Sequence, residues 1–178
     1  MGSDFKEILG AEIISITGGL MAGGLLAFFL TRLEAIPAMF VLLPGFFEMK
    51  GSIGGSLTAR LSSALHKGTL KSRFRNKKVL FREFFTSFSL MVTISICLGF
   101  ITFLWSYFVI NVYNPKVILI PVIAVLLSSF FEIAMFIYTT IWLYSHGHDP
   151  DNIMGPYVTT MGDITSVTSL VIAVMILG

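Results

Sequence analysis

The sequence is poor in charged residues and in cysteine, and both shortages restrict the class of protein. Charged residues make up 12% of the 178 residues and hydrophobic residues 55%, whereas soluble domains contain roughly 25% charged residues. A soluble fold of this size cannot bury so much apolar side chain, because small domains expose a large share of their surface. Cys97 stands alone, which excludes a disulfide within the chain. The composition therefore predicts an integral membrane protein and excludes a disordered chain or an ordinary cytosolic enzyme.

Long apolar runs are what the sequence has in place of charge. A helix needs about 20 apolar residues to span a bilayer, and five segments reach that length: 8–30, 36–65, 84–110, 117–144 and 154–177. In the first segment, Gly19 and Gly23 have the spacing at which another helix approaches closely. The second contains Pro44 and a glycine- and serine-rich run over residues 51–56. We therefore expect a broken or kinked second helix, which membranes tolerate where the backbone lines a cavity.

Positive charge is concentrated between the second and third segments. Seven of the twelve Lys and Arg residues lie within residues 67–82. By the positive-inside rule this loop is cytoplasmic, so five crossings place the N-terminus in the cytoplasm and the C-terminus outside. Nucleic-acid binding is the other interpretation of such a run. Between two membrane segments, contact with lipid headgroups is the usual role, so we expect a multi-pass protein of the cell membrane with no nucleic-acid partner.

Acidic residues fall inside the predicted membrane segments. Glu48, Glu132 and Asp163 lie at membrane depth, and Glu34 lies just beyond the end of the first segment. An ionisable group at the bilayer centre costs about 2.5–3.5 kcal/mol even on lenient insertion scales. The only cation near any of the three deep acids in sequence is Lys50, two residues after Glu48. This excess of negative charge predicts a cation pathway for a proton, a metal ion or an organic cation.

Asp163 lies on a polar helix face. Thr159 precedes it by four residues and Ser166 follows it by three, so two hydroxyls share its face. Mg²⁺ takes oxygen ligands, commonly one or two carboxylates together with waters. Two copies of the last segment across a two-fold axis would supply two carboxylates, and two-fold dimers are the commonest oligomers. The alternative is a protonated aspartic acid that is hydrogen-bonded to a neighbouring helix.

The polar loop before the last segment contains a weaker pattern. His146, His148 and Asp149 have side chains of the metal-ligating type, but their spacing is of low specificity for a metal site. Asp151 and Asn152 are typical of residues that cap the start of a helix. We therefore expect this loop to cap the last helix and not to bind a metal ion.

Two motifs carry a resemblance to a known family. Residues 42–45 and 50–61 read LLPG and KGSIGGSLTARL, and the last segment is introduced by DPDNI and continues to GDIT at residues 162–165. Together they resemble the membrane domain of the MgtE family of magnesium transporters and the related eukaryotic magnesium solute carriers. The resemblance implies a homodimeric pathway in which an aspartate, here Asp163, and a carbonyl one turn earlier, here that of Thr159, contact the ion. The family's acid at the outer end of the first helix region falls on Glu34.

These observations give one overall prediction. Residues 1–178 are expected to form an all-α transmembrane domain with five spanning helices, without a soluble regulatory domain and without enzymatic activity. Mg²⁺ would cross at a homodimer interface, held by Asp163 of each chain with help from Thr159, while Glu48, Glu132 and Glu34 would concentrate cations. Two alternatives stay open: coupling of Mg²⁺ movement to Na⁺ or H⁺, and transport of another divalent cation.

Overall fold

The computed structural model describes residues 2–34, 36–70 and 76–177, and this part of the chain contains helices and turns but no strand. The basic run at residues 67–82 lies partly outside the described residues. Within them the α-helices follow in this order: α1 (Gly2–Phe28), α2 (Leu30–Glu34), α3 (Met39–His66), α4 (Lys77–Trp105), α5 (Lys116–Ser145) and α6 (Pro150–Leu177). A π-helical turn, Ser106–Ile110, extends α4.

Four stretches of helix are long and apolar enough to cross a membrane, among the residues that the structure describes: Asp4–Phe28, Lys77–Ile110, Lys116–Ser145 and Pro150–Leu177. The prediction of an all-helical membrane protein is thereby confirmed. The remaining long helix, α3, has 28 residues but includes Glu48, Lys50 and Arg60. Its crossing, the count of five and the orientation of the termini stay predictions.

One end of the bundle is formed by the starts of α1 and α6 and the end of α3. Glu7 of α1 lies 2.8 Å from His148 in the α5–α6 turn, measured between Oε1 and Nδ1. His66, the last residue of α3, has its Nε2 3.7 Å from Oδ1 of Asp149 in the same turn. We call this the basic end, because α4 also begins here with Lys77 and Lys78.

The opposite end is formed by the α4–α5 turn, the end of α6 and the approach to α3. Lys116 donates from Nζ to the carbonyl oxygen of Leu177 at 2.6 Å. Ile36, just before α3, borders the same surface cavity as these two residues. Because α3 starts at this end and finishes at the basic end, it runs the full length of the bundle, antiparallel to α6.

The second long helix, α3, is continuous from Met39 to His66. The predicted alternative of a break at its glycine-rich run is therefore wrong, and the alternative of a kink stays a prediction. The helical conformation continues through the glycine-rich run because side chains of neighbouring helices pack directly against it. A β-carbon on Gly54 would lie 2.8 Å from both the Phe136 ring of α5 and the Val158 side chain of α6. Pro44 lies in the second turn of the helix, where its missing N–H removes one backbone hydrogen bond.

The close approach predicted for α1 is made one residue earlier than expected. No described atom lies within 4 Å of a β-carbon built on Gly19 or Gly23, whereas one built on Gly18 would collide with the side chain of Thr160 in α6. Thr160 also donates from Oγ1 to Oγ of Ser15 at 2.9 Å. The face of α1 at Gly18 therefore docks on α6, and the predicted glycine pair does not form this close approach.

Gly99 allows α4 to lie directly against the backbone of α5, since a β-carbon there would collide with the carbonyl oxygen of Ile118. We expect Gly99→Ala to destabilise the protein by about 1–3 kcal/mol through overpacking. The measurement is the temperature at which the detergent-solubilised protein loses its monodisperse chromatographic peak. Gly24→Ala is the matched control, because nothing lies within 4 Å of its β-carbon. Equal melting temperatures for the two variants would contradict the proposed contact.

Candidate cation site

A cavity of about 440 Å³ lies between α3 and α6. On α3 the lining residues recur every three or four positions, as they do on α6, so each helix turns one face toward the cavity. The lining consists of the following residues: Pro44, Phe47, Glu48, Gly51, Ser52, Thr159, Gly162 and Asp163.

The cavity brings together three of the five residues predicted from the sequence: Asp163, Thr159 and Glu48. Asp163 is half-buried near the middle of α6, while Thr159 and Glu48 are exposed in the single chain. Thr159 donates from Oγ1 to the carbonyl oxygen of Gly155 at 3.2 Å, so its hydroxyl is held along its own helix. The carbonyl oxygen of Thr159 has two lone pairs and can accept from another group besides the helix amide.

The other two predicted residues lie elsewhere. Glu34 is the exposed last residue of α2, and it is not among the residues that line this cavity. Glu132 is fully buried in α5 and is likewise absent from the cavity wall. Ser166, expected on the polar face of α6, is also fully buried. The polar face of α6 that borders the cavity is therefore narrower than the sequence suggested.

Lys50 is fully buried in α3 and makes polar contacts with α5 and α6. Its Nζ lies 2.7 Å from Oε2 of Glu132 and donates to Oγ of Ser128 at 2.9 Å and to Oγ1 of Thr165 at 3.0 Å. Of the three N–H donors of an ammonium, two are used by these hydroxyls of α5 and α6, and the Glu132 carboxylate compensates the charge as an ion pair. The Phe46 ring lies 5.6 Å from Nζ. Lys50 therefore joins three helices through one neutral ion pair.

The buried ion pair lies next to the cavity. Glu48 and Gly51, which flank Lys50 in sequence, both line the cavity. Across it, a β-carbon on Gly162 would lie 3.6 Å from Oε1 of Glu132, and Gly162 directly precedes Asp163. The pair thus supports both walls of the cavity and is neutral as a whole.

Sequence reasoning missed this ion pair. It linked Lys50 to Glu48 because the two are close in the chain, but residues two apart on a helix point to different faces. The helical period would have separated them, with Glu48 on the face of Pro44, Gly51 and Ser52. It would not have identified Glu132, because which face of α5 meets α3 is decided by tertiary packing.

The start of α6 is capped by Asp149 and not by Asp151 or Asn152 as predicted. The backbone N–H of Asp151 donates to Oδ1 of Asp149 at 3.0 Å, and Pro150 occupies the first helical position, where a missing N–H is tolerated. The two histidines of this loop, for which no ligand role is expected, have contacts of their own. His148 contacts Glu7, and the His146 ring packs on Trp142 with 4.4 Å between centroids.

A comparison with models of protein families gives a match to the MgtE divalent cation transporters over residues 43–173. The matched stretch includes both cavity-lining faces, from Pro44 on α3 to Asp163 on α6. The chain belongs to the MgtE family. This confirms the resemblance seen in the sequence, and it implies that the protein moves divalent cations across a membrane. No curated protein matches the chain.

The cavity in this MgtE-family chain has the chemistry and the size for a hydrated divalent ion. Its polar lining residues carry carboxylates and hydroxyls, which are oxygen ligands of the kind that hard cations prefer. Six waters occupy roughly 180 Å³ at about 30 Å³ each, well below the cavity volume of about 440 Å³. The volume is therefore compatible with an ion that keeps its hydration shell, as Mg²⁺ tends to do because it loses water reluctantly.

Proposed function

We propose that this MgtE-family protein transports Mg²⁺ across the cell membrane along the cavity between α3 and α6. The observation that carries the proposal is that Asp163, Thr159 and Glu48, distant in sequence, line one cavity. In this proposal Asp163 holds the ion largely through its waters, the Thr159 carbonyl assists, and Glu48 raises the local cation concentration. Glu34, exposed at the opposite end from the basic residues, attracts cations on the outer side.

The proposal requires α3 to span the membrane as the fifth crossing. With 28 residues and a rise of 1.5 Å per residue, the helix is about 42 Å long, more than the roughly 30 Å of the hydrocarbon core. Its charged residues are compatible with a crossing because Lys50 is paired inside the bundle and Glu48 borders the cavity. Five crossings with the basic end in the cytoplasm put the N-terminus inside and the C-terminus outside.

The proposal also includes a homodimer. In the single chain, Glu48 and Thr159 are exposed and Asp163 is only half-buried. A polar wall at mid-membrane that faced lipid would be unfavourable by several kcal/mol. A second copy placed over this wall would remove it from lipid and bring a second Asp163 carboxylate to the same ion. Residues 1–178 then act as one transmembrane domain that works in pairs, without enzymatic chemistry.

Coupled exchange is a second candidate, and the buried Lys50–Glu132 pair favours it. An ion pair next to the cation cavity offers carboxylate and ammonium groups whose partners can change when another ion arrives. The second ion would be Na⁺ or H⁺, which would enter from the opposite side of the membrane. Other divalent cations are the remaining alternative for the cargo, because oxygen ligands alone discriminate poorly among them.

Mg²⁺ uptake into liposomes that contain the purified protein tests the function. We expect uptake that follows the Mg²⁺ gradient, measured with an internal Mg²⁺-sensitive dye, and none in protein-free liposomes. Imposed Na⁺ and H⁺ gradients separate the candidates. An exchanger responds to one of these gradients, whereas a passive pathway responds only to the Mg²⁺ gradient and the membrane potential. Absence of uptake, with Mn²⁺ or Co²⁺ uptake in its place, would overturn Mg²⁺ as the cargo.

A further inference from the structure

A second group of metal-ligating side chains lies at the basic end of the bundle, far along α3 from the cavity. His66 ends α3, Asp149 caps α6 and Asp151 lies in the first turn of α6. One ligand atom from each of the three lies within 4.8 Å of the other two. They differ from a simple acidic cluster because an imidazole from a separate helix faces the two carboxylates. The His66 and Asp149 side chains are each 44% exposed, so an ion can reach them.

The hydrogen bonds of His66 prepare its ring for metal binding. Its Nδ1 lies 3.1 Å from the carbonyl oxygen of Ser62 and 3.3 Å from Oγ of the same residue. The carbonyl oxygen can only accept, and the hydroxyl can also accept, so we assign the ring proton to Nδ1. The lone pair is then on Nε2, the atom that faces Asp149 at 3.7 Å. Tyr144 fixes the ring plane by an edge contact, with centroids 5.3 Å apart. A carbonyl bonded to the far nitrogen is the usual second contact of a metal-bound histidine.

We propose that His66, Asp149 and Asp151 bind a transition-metal dication such as Zn²⁺ or Co²⁺. Imidazole nitrogen favours these ions over Mg²⁺, which takes oxygen ligands. A tetrahedral ion about 2.1 Å from its ligands places them about 3.4 Å apart, so the three side chains have to close by roughly one ångström, a movement open to exposed groups. The cation would also relieve the repulsion between two neighbouring carboxylates.

This metal site would link the two helices that line the transport cavity. His66 is the last residue of α3, and Asp149 and Asp151 hold the first turn of α6. An ion shared by them would fix the ends of α3 and α6 relative to each other. A transition metal bound from the aqueous phase would therefore restrict movement of the two helices that line the cavity. Binding of this metal does not depend on Mg²⁺ transport.

Co²⁺ titration of the purified full chain, followed by its visible absorption, tests the site. Excess Mg²⁺ is present throughout, so that the hard ion occupies the Asp163 cavity. We expect Co²⁺ binding in the wild type and a loss of affinity of about 100-fold in His66→Ala and in Asp151→Asn. Two control variants should bind Co²⁺ as the wild type does. One is His146→Ala, which removes an exposed histidine of the α5–α6 turn, and the other is Asp163→Asn.

Two outcomes would overturn the site. The first is wild-type Co²⁺ affinity in a folded His66→Ala or Asp151→Asn protein, and the second is a loss of binding confined to Asp163→Asn. The melting temperature of each variant without metal shows that it is folded. Added Zn²⁺ should raise the melting temperature of the wild type and leave that of His66→Ala unchanged, because only a folded site gains from the ligand. Failure of Mg²⁺ transport would leave these readouts unaffected, so the two proposals fail separately.

Discussion

Replacing Asp163 by Asn should reduce Mg²⁺ uptake by about 100-fold or more, while the protein stays folded and inserted. Loss of groups that only orient a ligand already costs about 10–100-fold in metal affinity, and Asn keeps the shape of the side chain but removes the charge. Asp163 is half-buried on the cavity wall, so the substitution removes no core packing. The measurement is the initial rate of dye-reported uptake, normalised to the reconstituted protein.

Glu34→Gln is the matched control for that substitution, since it also neutralises one acid but lies outside the cavity wall. We expect it to slow uptake modestly at low Mg²⁺ and to have no effect at saturation. Normal uptake by Asp163→Asn would remove Asp163 from the pathway. Equal losses in both variants would show that overall charge, and not a particular carboxylate, controls transport.

Co-expression of the wild type and Asp163→Asn with two different tags extends the test to the dimer. Purification through both tags isolates the mixed dimer, and failure to isolate it would rule out stable pairing. If both carboxylates hold one ion, the mixed dimer should be nearly as inactive as the dimer in which both chains carry Asp163→Asn. If each chain has its own pathway, it should keep about half of the activity.

The helices could largely be predicted from the sequence because the bilayer sets their length. The apolar segment 117–144 corresponds to α5, Lys116–Ser145, so the prediction differs from the helix by one residue at each end. The segment 84–110 starts seven residues after the true beginning of α4 at Lys77. The apolar pattern could not show this start, because it gives no signal for a helix that continues into water. The last helix also began early, because Asp149 and Pro150 form a cap and first turn that lie outside the apolar run.

The candidate site was partly predictable for a different reason. Asp163 and Glu48 stand out because acids are costly at membrane depth, and both line the cavity. The roles of Lys50 and His66 depend on which helices meet, and spacing along one helix does not determine that. The glycine-rich run of α3 was misread because glycine favours a break in isolation, whereas Phe136 and Val158 pack against Gly54 and stabilise the helix.

The second large effect concerns stability: Lys50→Met should destabilise the protein by about 3–5 kcal/mol, whereas Lys50→Met combined with Glu132→Met should recover most of that loss. Removing one member of a buried ion pair leaves an uncompensated charge, while replacing both by apolar side chains is often neutral or stabilising. Both ionic side chains are fully buried, so water cannot screen the charge that remains. The measurement is the thermal stability of the detergent-solubilised variants.

The surrounding hydroxyls make this double replacement a clean comparison. Ser128 also donates from Oγ to the carbonyl oxygen of Ala124 at 2.9 Å, and Thr165 donates from Oγ1 to the carbonyl oxygen of Gly162 at 3.2 Å. Neither hydroxyl is left without a partner when Lys50 and Glu132 are gone. Arg60→Met is the matched control on the same helix. Its partner Glu83 is 2.9 Å away, but the Arg60 side chain is 40% exposed, so we expect a cost of about 0–1 kcal/mol.

Transport by the double variant then separates a structural role of the pair from a role in ion movement. The pair is neutral, so its removal leaves the net charge around Asp163 unchanged. Wild-type uptake in a stable double variant would mean that Glu132 acts only as the partner of Lys50, contrary to the prediction that it belongs to the ion site. Loss of dependence on a Na⁺ or H⁺ gradient, with Mg²⁺ uptake retained, would instead place the coupling of the two ions at this pair. A double variant as unstable as Lys50→Met would mean that the three helices need the polar contacts themselves, because charge compensation alone would have restored the fold.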